Sequence, residues 1–476
     1  MKDVLTSVGI DIGTTTSQVV FSHITIEDLS SGFTVPRVEI VDKEIVYRGD
    51  ICFTPLTSPT TIDAVALRDL VTRAYDQAGV APGEVKTGAV VITGETARKE
   101  NAAEVLAHLS DLAGDFVVAT AGPTLESVIA GRGAGADAAS KRLGSTVANY
   151  DIGGGTSNFA LFDRGAPASA GCLDIGGRLV RIDRARGAIT YVAPKIARLC
   201  NDAGIRCAVG DVADLARLRR VARAMCDLLE MSLGLAPKSA FYPTILTEPG
   251  HDVMLPKPIG HLMFSGGVAD CVRDASREPF AYGDLGVLLG AAIRDSAGLS
   301  RIPRLDAAET IRATVVGAGT HITELSGSTI EYDASLLPIK NVPILKLSRD
   351  EEADPAAMGT SIRDRLGWFA ADGPAAPVAI AFAGPASPTF ARVQELARVI
   401  VEAMAPRVAE GAPVIVVTES DLAKVLGQSL RAHLGARHGF ICIDGIAVEG
   451  GDYVDIGAPA AAGVVLPVVV KTLAFR

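Results

Sequence analysis

Hydrophobic positions along the chain fall into short runs, and in two places a pair of runs encloses a tip of small polar residues. The tips are residues 11–18 (DIGTTTSQ) and residues 151–158 (DIGGGTSN). The flanking runs are Val4–Ile10 and Val19–Phe21 for the first tip, and Val147–Tyr150 and Phe159–Phe162 for the second. Two apolar runs around a Gly-rich tip predict a β-hairpin. The chain therefore carries two similar hairpins.

The residue types at these tips suit phosphate and metal binding. Small residues let backbone N–H groups approach an anion closely, and Gly accepts a positive φ. Asp11 and Asp151, which open the tips, can each hold a hydrated divalent cation, which a triphosphate requires. Either Asp alone could equally be a turn residue, but the duplication favours two halves that clamp a nucleotide. The candidate phosphate-binding residues are Gly13, Thr14, Thr15, Thr16, Gly153, Gly154, Gly155 and Thr156.

Elsewhere, apolar runs alternate with stretches of helical periodicity, which predicts an α/β protein. The predicted strands include Val90–Thr93, Phe116–Ala119, Ala168–Leu173, His261–Phe264, Thr314–Val316, Val378–Phe382, Val414–Val417 and Phe440–Ile443. The predicted helices include residues 99–112, 123–129, 212–235, 357–369, 389–404 and 420–434. Residues 131–146, rich in Gly, Ala and Ser, are expected to form a flexible surface loop.

A polar stretch at 296–310 containing Pro303 suggests a boundary. We expect a core over 1–295, with halves at about 1–146 and 147–295, and a C-terminal α/β region over 311–476.

Charge, cysteine content and hydropathy indicate which partners and which cellular compartment to expect. A net charge of −10 and a pI near 5.3 argue against a nucleic-acid partner. The seven cysteines form no CxxC pair, which predicts a reduced, cytoplasmic protein. The apolar stretch 458–475 is interrupted by Pro459, Pro467 and Lys471, so it falls short of a membrane span of ~20 residues, and no membrane partner is expected.

Further motifs give a family resemblance. Residues 264–270 (FSGGVAD) form a strand end followed by glycines, and residues 122–131 and 283–291 read as connecting helices. With the two hairpins, these motifs resemble the superfamily of actin, sugar kinases and heat-shock ATPase chaperones. The resemblance implies an actin-like ATPase fold with two ribonuclease-H-like halves around a nucleotide cleft. It also implies ATP and Mg²⁺ as cofactors, Asp11 and Asp151 at the metal, and Ser265, Gly266 and Gly267 at the adenosine.

A narrower resemblance extends over essentially the whole chain. Residues 93–101, 123–131, 174–178 and 455–459 look together like the ethanolamine ammonia-lyase reactivating factors of ethanolamine-utilisation operons. This implies a chaperone that uses ATP to free the adenosylcobalamin-dependent lyase of damaged cofactor, so that intact coenzyme binds. The implied partners are ethanolamine ammonia-lyase and ATP or ADP, with adenosylcobalamin involved indirectly. A cytoplasmic location follows, and association with a bacterial microcompartment is left open because no N-terminal amphipathic helix supports it.

The catalytic residues depart from the family pattern at one point. Heat-shock chaperones have a Glu directly before the Pro-Thr of the first connecting helix, where this chain has Gly122. Glu126, one turn further on, is therefore the candidate catalytic base beside Asp11 and Asp151, and the alternative is a solvent-facing helix residue. The alternative functions are a small-molecule kinase or phosphohydrolase on the same fold and an actin-like filament protein. No Walker-type GxxxxGK[ST] is present.

Overall fold

A computed structural model describes residues 2–13, 16–30, 38–58, 61–92, 101, 105, 109, 123–247, 252–321, 323–327, 329–369, 375–435 and 438–472. Thr14, Thr15, the predicted strand Phe116–Ala119 and most of the predicted helix 99–112 lie outside these residues.

The N-terminal part forms a mixed sheet that begins with the first hairpin. Its elements are β1 (Lys2–Ile12), β2 (Thr16–Asp28), β3 (Val38–Arg48), β4 (Cys52–Phe53), β5 (Leu56–Ser58), β6 (Thr61–Ile62), α1 (Ala64–Ala78) and β7 (Val85–Ile92). The sheet order is β3-β2-β1-β7, with β4 paired to β2. Strand β1 is antiparallel to β2 and parallel to β7. Helix α1 begins where the Asp63 side chain accepts from Ala66 N, and it ends at Gly79 with φ +66°.

A second sheet repeats this topology. The elements are α2 (Pro123–Gly133), α3 (Ala136–Leu143), β8 (Thr146–Ile152), β9 (Ser157–Asp163), β10 (Ala166–Leu173), β11 (Val180–Asp183), β12 (Ala188–Val192), α4 (Pro194–Asp202), α5 (Leu215–Ser232), α6 (Tyr242–Ile245), β13 (His261–Ser265), α7 (Ala269–Arg273), α8 (Gly286–Arg294) and β14 (Arg304–Leu305). The order is β10-β9-β8-β13-β14, with two antiparallel pairs followed by two parallel ones. The two halves are therefore ribonuclease-H-like, and the predicted fold class is confirmed.

Two helices exchanged between the halves lie between the sheets. Helix α2 packs on β8, β9 and β10, whereas α9 (Ala313–His321) packs on β1, β2 and β7, and the two helices pack on each other. Glycines allow this close approach, because a Cβ on Gly133 would overlap Ala313 O and one on Gly317 would overlap Ile129 O. The predicted strand Thr314–Val316 is wrong. Its β-branched residues favour a strand locally, but tertiary burial between β1 and α2 selects a helix.

The C-terminal region builds its own sheet. Its elements are β15 (Thr323–Leu325), β16 (Glu331–Tyr332), β17 (Ile339–Lys346), α10 (Arg349–Ala353), α11 (Pro355–Leu366), β18 (Val378–Phe382), α12 (Phe390–Ala409), β19 (Val414–Thr418), α13 (Ala423–Leu434), β20 (Phe440–Ile443), β21 (Asp452–Ile456) and β22 (Pro467–Thr472). The eight strands run in the order β15-β22-β21-β17-β18-β19-β20-β16, and β17 to β20 are parallel. The predicted strands at 378, 414 and 440 are confirmed.

The structure differs from the sequence prediction in one segment and in the start of the C-terminal region. Residues 131–146 are mostly helical rather than a loop, because Ala134, Ala136 and Ala139 are buried against β8 and β9 and the small side chains allow tight packing. Helix α9 follows residue 311 but packs on the first sheet, and the C-terminal sheet begins at Thr323. The division into a core and a C-terminal region stays a prediction.

Candidate nucleotide site

The two hairpin tips open onto one cleft between the halves. The cleft has a volume of about 400 Å³. It is lined by most of the residues predicted from the sequence: Asp11, Gly13, Thr16, Glu126, Asp151, Gly153, Gly154, Gly155, Thr156, Gly266 and Gly267. Ser265 lies directly behind this lining, and Thr14 and Thr15 are outside the described residues. The fold thus brings together motifs that are far apart in sequence.

Asp151 is held at the end of β8 by two hydroxyl groups. Ser265 Oγ donates to Asp151 Oδ1 at 2.7 Å, and Thr314 Oγ1 donates to Oδ2 at 3.5 Å. Behind them, Asn149 Nδ2 donates to Ser265 Oγ at 2.9 Å, which orients the serine. Burial raises the pKa of Asp151 from its ordinary 3.8 to about 6, against the lowering effect of the two hydroxyl groups. A cation bound beside Asp151 would therefore stabilise the ionised form of its carboxylate.

Asp11 occupies the equivalent place on the first hairpin. It is the penultimate residue of β1, as Asp151 is of β8, and both residues are 8% exposed. The tip that follows is held by Thr54, whose Oγ1 donates to Gly13 O at 2.7 Å. The first half thereby contributes a second nearly buried carboxylate to the same cleft.

Glu126 is buried rather than solvent-facing. It is 7% exposed, lines the cleft, and accepts a hydrogen bond from Asn158 Nδ2 at 2.7 Å. Helix α2 presents Glu126 to the cleft, while Asn158 comes from the second hairpin. The carboxylate is thus positioned from two elements, as a group that orients a water requires.

Two of the three glycines of the second tip, Gly153 and Gly155, border open space. Gly153 O accepts from Gly177 N at 3.0 Å, and Gly154 O accepts from Arg178 N at 2.7 Å, which fixes the tip against the following turn. A Cβ on Gly155 would meet no atom within 4 Å, and one on Gly153 would come no nearer than 3.8 Å to its neighbours. The room beside these two backbones is therefore available to a ligand.

Gly266 plays a different role from these open glycines. Its φ is +82°, and a Cβ there would overlap Ile152 O. This glycine is required by the packing of the strand end of β13 against β8, whereas the neighbouring Gly267 meets its nearest atom only at 4.0 Å.

Several residues of the cleft were not identified from the sequence. They are Gln18, Phe53, Asn158, Arg178, Arg277, Tyr282, Asp284 and Thr314. Asp284 accepts from Gly286 N at 2.8 Å and lies 3.8 Å from Arg178, and burial raises its pKa. The signal for Gln18 and Asn158 was present, because each closes its hairpin motif directly opposite the motif's Asp. Arg178 and Asp284 lie within the motifs 174–178 and 283–291, but no role in the cleft was predicted for them, and Thr314 lies in a segment predicted as a strand.

The carboxylates and open backbone of the cleft are compatible with a nucleotide that carries Mg²⁺. Among the described residues, no three His, Cys, Asp or Glu side chains gather into a metal site. Mg²⁺ does not need such a cage, because it keeps several waters and is bound by one or two carboxylates together with substrate phosphates. Asp11 and Asp151 supply two carboxylates, and the open glycines leave room for the phosphates.

A fold in which duplicated halves close on a cleft, with one acidic residue from each half, is that of the actin-like ATPases. Within this class, the chain belongs to the family described as "Ethanolamine utilisation protein EutA", whose profile matches residues 3–476.

Two curated relatives match the chain over its whole length. The ethanolamine ammonia-lyase reactivase EutA of Salmonella typhimurium strain LT2 is 38% identical over 475 residues, covering 99% of this chain and 98% of the relative. The reactivase of the same name from Escherichia coli K12 is 37% identical over 485 residues, with the same two coverages.

The solved structures that resemble this chain are less similar to it in sequence than the two curated relatives are. A Ppx/GppA family protein from Aquifex aeolicus is 13% identical, covers 66% of this chain and 97% of its own, and has a TM-score of 0.40. EutJ from Carboxydothermus hydrogenoformans is 16% identical, covers 66% and 88%, and has a TM-score of 0.29. At these TM-scores the likenesses support no argument about function. In the described part of the chain, no helix combines the length and apolarity that crossing a bilayer needs.

Proposed function

We propose that this protein is an ATP-dependent reactivating chaperone for adenosylcobalamin-dependent ethanolamine ammonia-lyase. It releases damaged or inactive cobalamin so that intact coenzyme can bind. The observation that carries the proposal is the full-length similarity to two relatives named ethanolamine ammonia-lyase reactivases. The lyase is the protein partner in this proposal, and adenosylcobalamin is involved through it.

The cleft is the proposed site of ATP and Mg²⁺. Asp11 and Asp151 hold the water shell of the cation, and the backbone amides and hydroxyl groups at Gly13, Thr16 and residues 153–156 bind the β- and γ-phosphates. Gly266 and Gly267 border the adenosine side, whereas Ser265, predicted there with them, is fully buried and holds Asp151 instead. The cation supplies charge neutralisation of the phosphates during phosphoryl transfer. Both carboxylates line the same cleft and are nearly buried. This supports these roles, because a bound cation offsets the cost of burying two ionised carboxylates close together.

Glu126 is the proposed group that orients the attacking water and accepts its proton. Its Oε1 already accepts from Asn158 Nδ2, which fixes the carboxylate in one orientation. A carboxylate held in this way contributes by position more than by basicity. Hydrolysis is expected to be slow, as suits a protein whose product is a conformational change rather than a phosphorylated metabolite.

Coupling from the cleft to the partner runs through helix α9. Thr314, in its first turn, donates to Asp151, and the chain passes from the end of α9 directly into β15 of the C-terminal sheet. A rotation of one half against the other on nucleotide exchange therefore moves the C-terminal sheet. The lyase responds only if it binds the two states with different affinity.

The proposed location is the bacterial cytoplasm, which suits the seven free thiols. Association with a microcompartment stays a prediction. The kinase or phosphohydrolase alternative is not favoured, because both curated relatives are named reactivases.

The test is recovery of lyase activity. Ethanolamine ammonia-lyase blocked with cyanocobalamin is incubated with this protein, ATP, Mg²⁺ and free adenosylcobalamin. We expect recovery that requires ATP and is lost in Asp11→Ala and Asp151→Ala. The matched control is Asp295→Asn, an exposed acid on the same half, which should retain full activity. Absence of recovery by a wild-type protein that still binds ATP would refute the assignment of the lyase as partner.

A further inference from the structure

Gln18 and Asn158 occupy equivalent places in the two halves. The register of the first hairpin sets Asp11 directly opposite Gln18, and that of the second sets Asp151 directly opposite Asn158. Directly opposed residues of an antiparallel pair point to the same face of the sheet, with Cβ atoms about 5 Å apart. Each half therefore presents one carboxylate and one amide side by side, and all four side chains line the cleft.

The hydrogen-bond partners fix which way each amide points. Asn158 Nδ2 donates to Glu126 Oε1 at 2.7 Å, and Gln18 Nε2 donates to Ile311 O at 3.2 Å. An ionised carboxylate and a backbone carbonyl only accept hydrogen bonds, so a flipped amide would set two acceptors against each other. The N–H groups must face these partners, and the amide oxygens are turned away from them.

Both amide oxygens are buried acceptors in need of a donor. Gln18 is 3% exposed and Asn158 is 2% exposed. Among the described residues, neither Gln18 Oε1 nor Asn158 Oδ1 has a hydrogen-bond partner. A buried polar atom without a partner is costly, and in a cleft it marks a place where a ligand supplies the missing bond.

The surroundings determine what kind of donor fits. Asp11, Asp151 and Glu126 line the same cleft, so an anion placed directly beside the two amide oxygens would be repelled by them. A hydrated cation presents the opposite chemistry, because its polarised waters are strong donors toward carboxylates and amide oxygens.

We propose that Gln18 and Asn158 are positioning residues that hold the water shell of the nucleotide's divalent cation through their side-chain oxygens, one from each half. This inference rests on the proposed nucleotide function of the cleft. Because the amide nitrogens also hold Ile311 and Glu126, each side chain links the cation's waters to a second element. Closure of the two halves thereby completes a shell of four oxygen-bearing side chains.

The test compares two kinds of variant at each position. Gln18→Met and Asn158→Leu keep the approximate size of the side chain and remove both the oxygen and the N–H group. Gln18→Glu and Asn158→Asp keep the side-chain oxygen, remove the N–H group and add a negative charge. Calorimetric titration measures the affinity of each protein for ATP with Mg²⁺ and for ATP in EDTA, and the ratio of the two affinities is the readout.

We expect the oxygen-removing variants to reduce this ratio by about tenfold each, since a hydrogen bond to a charged group is lost, while binding of metal-free ATP is unchanged. The oxygen-retaining variants should keep the ratio or raise it, because their added negative charge also attracts the cation. An equal loss in both kinds of variant would assign the side chains a structural role through their N–H groups and overturn the inference. An equal loss of affinity for metal-free ATP would also overturn the inference, because the side chains would then contact the nucleotide rather than the cation's waters.

The outcome for the wild-type protein separates this inference from the proposed function. Wild-type protein that binds no ATP under either condition overturns both. Wild-type protein that binds with a clear Mg²⁺ dependence, alongside oxygen-removing variants of unchanged ratio, overturns the role of Gln18 and Asn158 alone.

Discussion

Replacing Asp151 by Asn should make the metal-free protein more stable while disabling its site. Burial raises the pKa of Asp151 from 3.8 to about 6, so the folded protein bears a penalty whenever this carboxyl is ionised. At about 1.4 kcal/mol per pKa unit, the penalty is about 3 kcal/mol. Asn removes the charge and keeps the shape. Its Oδ1 can still accept from Ser265 Oγ, and its N–H can face Thr314 Oγ1.

The sign of the pH dependence follows from the direction of the pKa shift. A carboxyl whose folded pKa is raised contributes stability below its unfolded pKa, and that contribution is lost as the pH rises through about 6. We therefore expect Asp151→Asn to raise the free energy of unfolding by up to about 3 kcal/mol at pH 8. At pH 5 the gain should fall to about half of that.

The assay is urea denaturation in EDTA at both pH values, followed by circular dichroism. Hydrogen exchange of the β8 and β9 amides shows whether the gain is located at the second hairpin. The control is Asp295→Asn, which replaces an exposed acid in the same half. It should leave the free energy of unfolding unchanged at both pH values. The reasoning is refuted if Asp151→Asn is less stable than wild type at pH 8, or if its advantage does not shrink by pH 5.

Three further predictions concern the same cleft. The affinity for ATP with Mg²⁺ should weaken as the pH falls through about 6, because protonated Asp151 no longer attracts the cation. Calorimetry of Asp151→Asn should show this pH dependence largely removed. An unchanged pH profile in that variant would assign the pH dependence to another group. Gly266→Ala should lower the free energy of unfolding by about 2 kcal/mol or more, since its φ is +82° and a Cβ overlaps Ile152 O. Gly267→Ala, with its nearest atom at 4.0 Å, should leave thermal unfolding unchanged, and equal losses would contradict the packing argument. Glu126→Gln should slow single-turnover ATP hydrolysis by about 100-fold with nucleotide affinity retained; undiminished turnover would place the base elsewhere.

Local patterns predicted the elements whose side chains alternate cleanly or form continuous buried runs. Both hairpins, the parallel strands at 378, 414 and 440, and the strand before Ser265 were all predicted. The same reasoning failed at Thr314–Val316, where β-branched residues lie in a helix. It also failed over residues 131–146, where small residues that resemble a loop form the packed helix α3. In both places the conformation depends on a partner element that is distant in sequence.

The sequence by itself determined the two hairpins with an Asp near the end of each first strand, because a hairpin and its glycines are specified by neighbouring residues. The tertiary structure decided which other side chains meet them. Thr314 reaches Asp151 because α9 crosses back between the sheets, and Glu126 meets Asn158 because α2 packs on β8, β9 and β10. Such contacts depend on the packing of whole helices and sheets, which no local pattern of residues specifies.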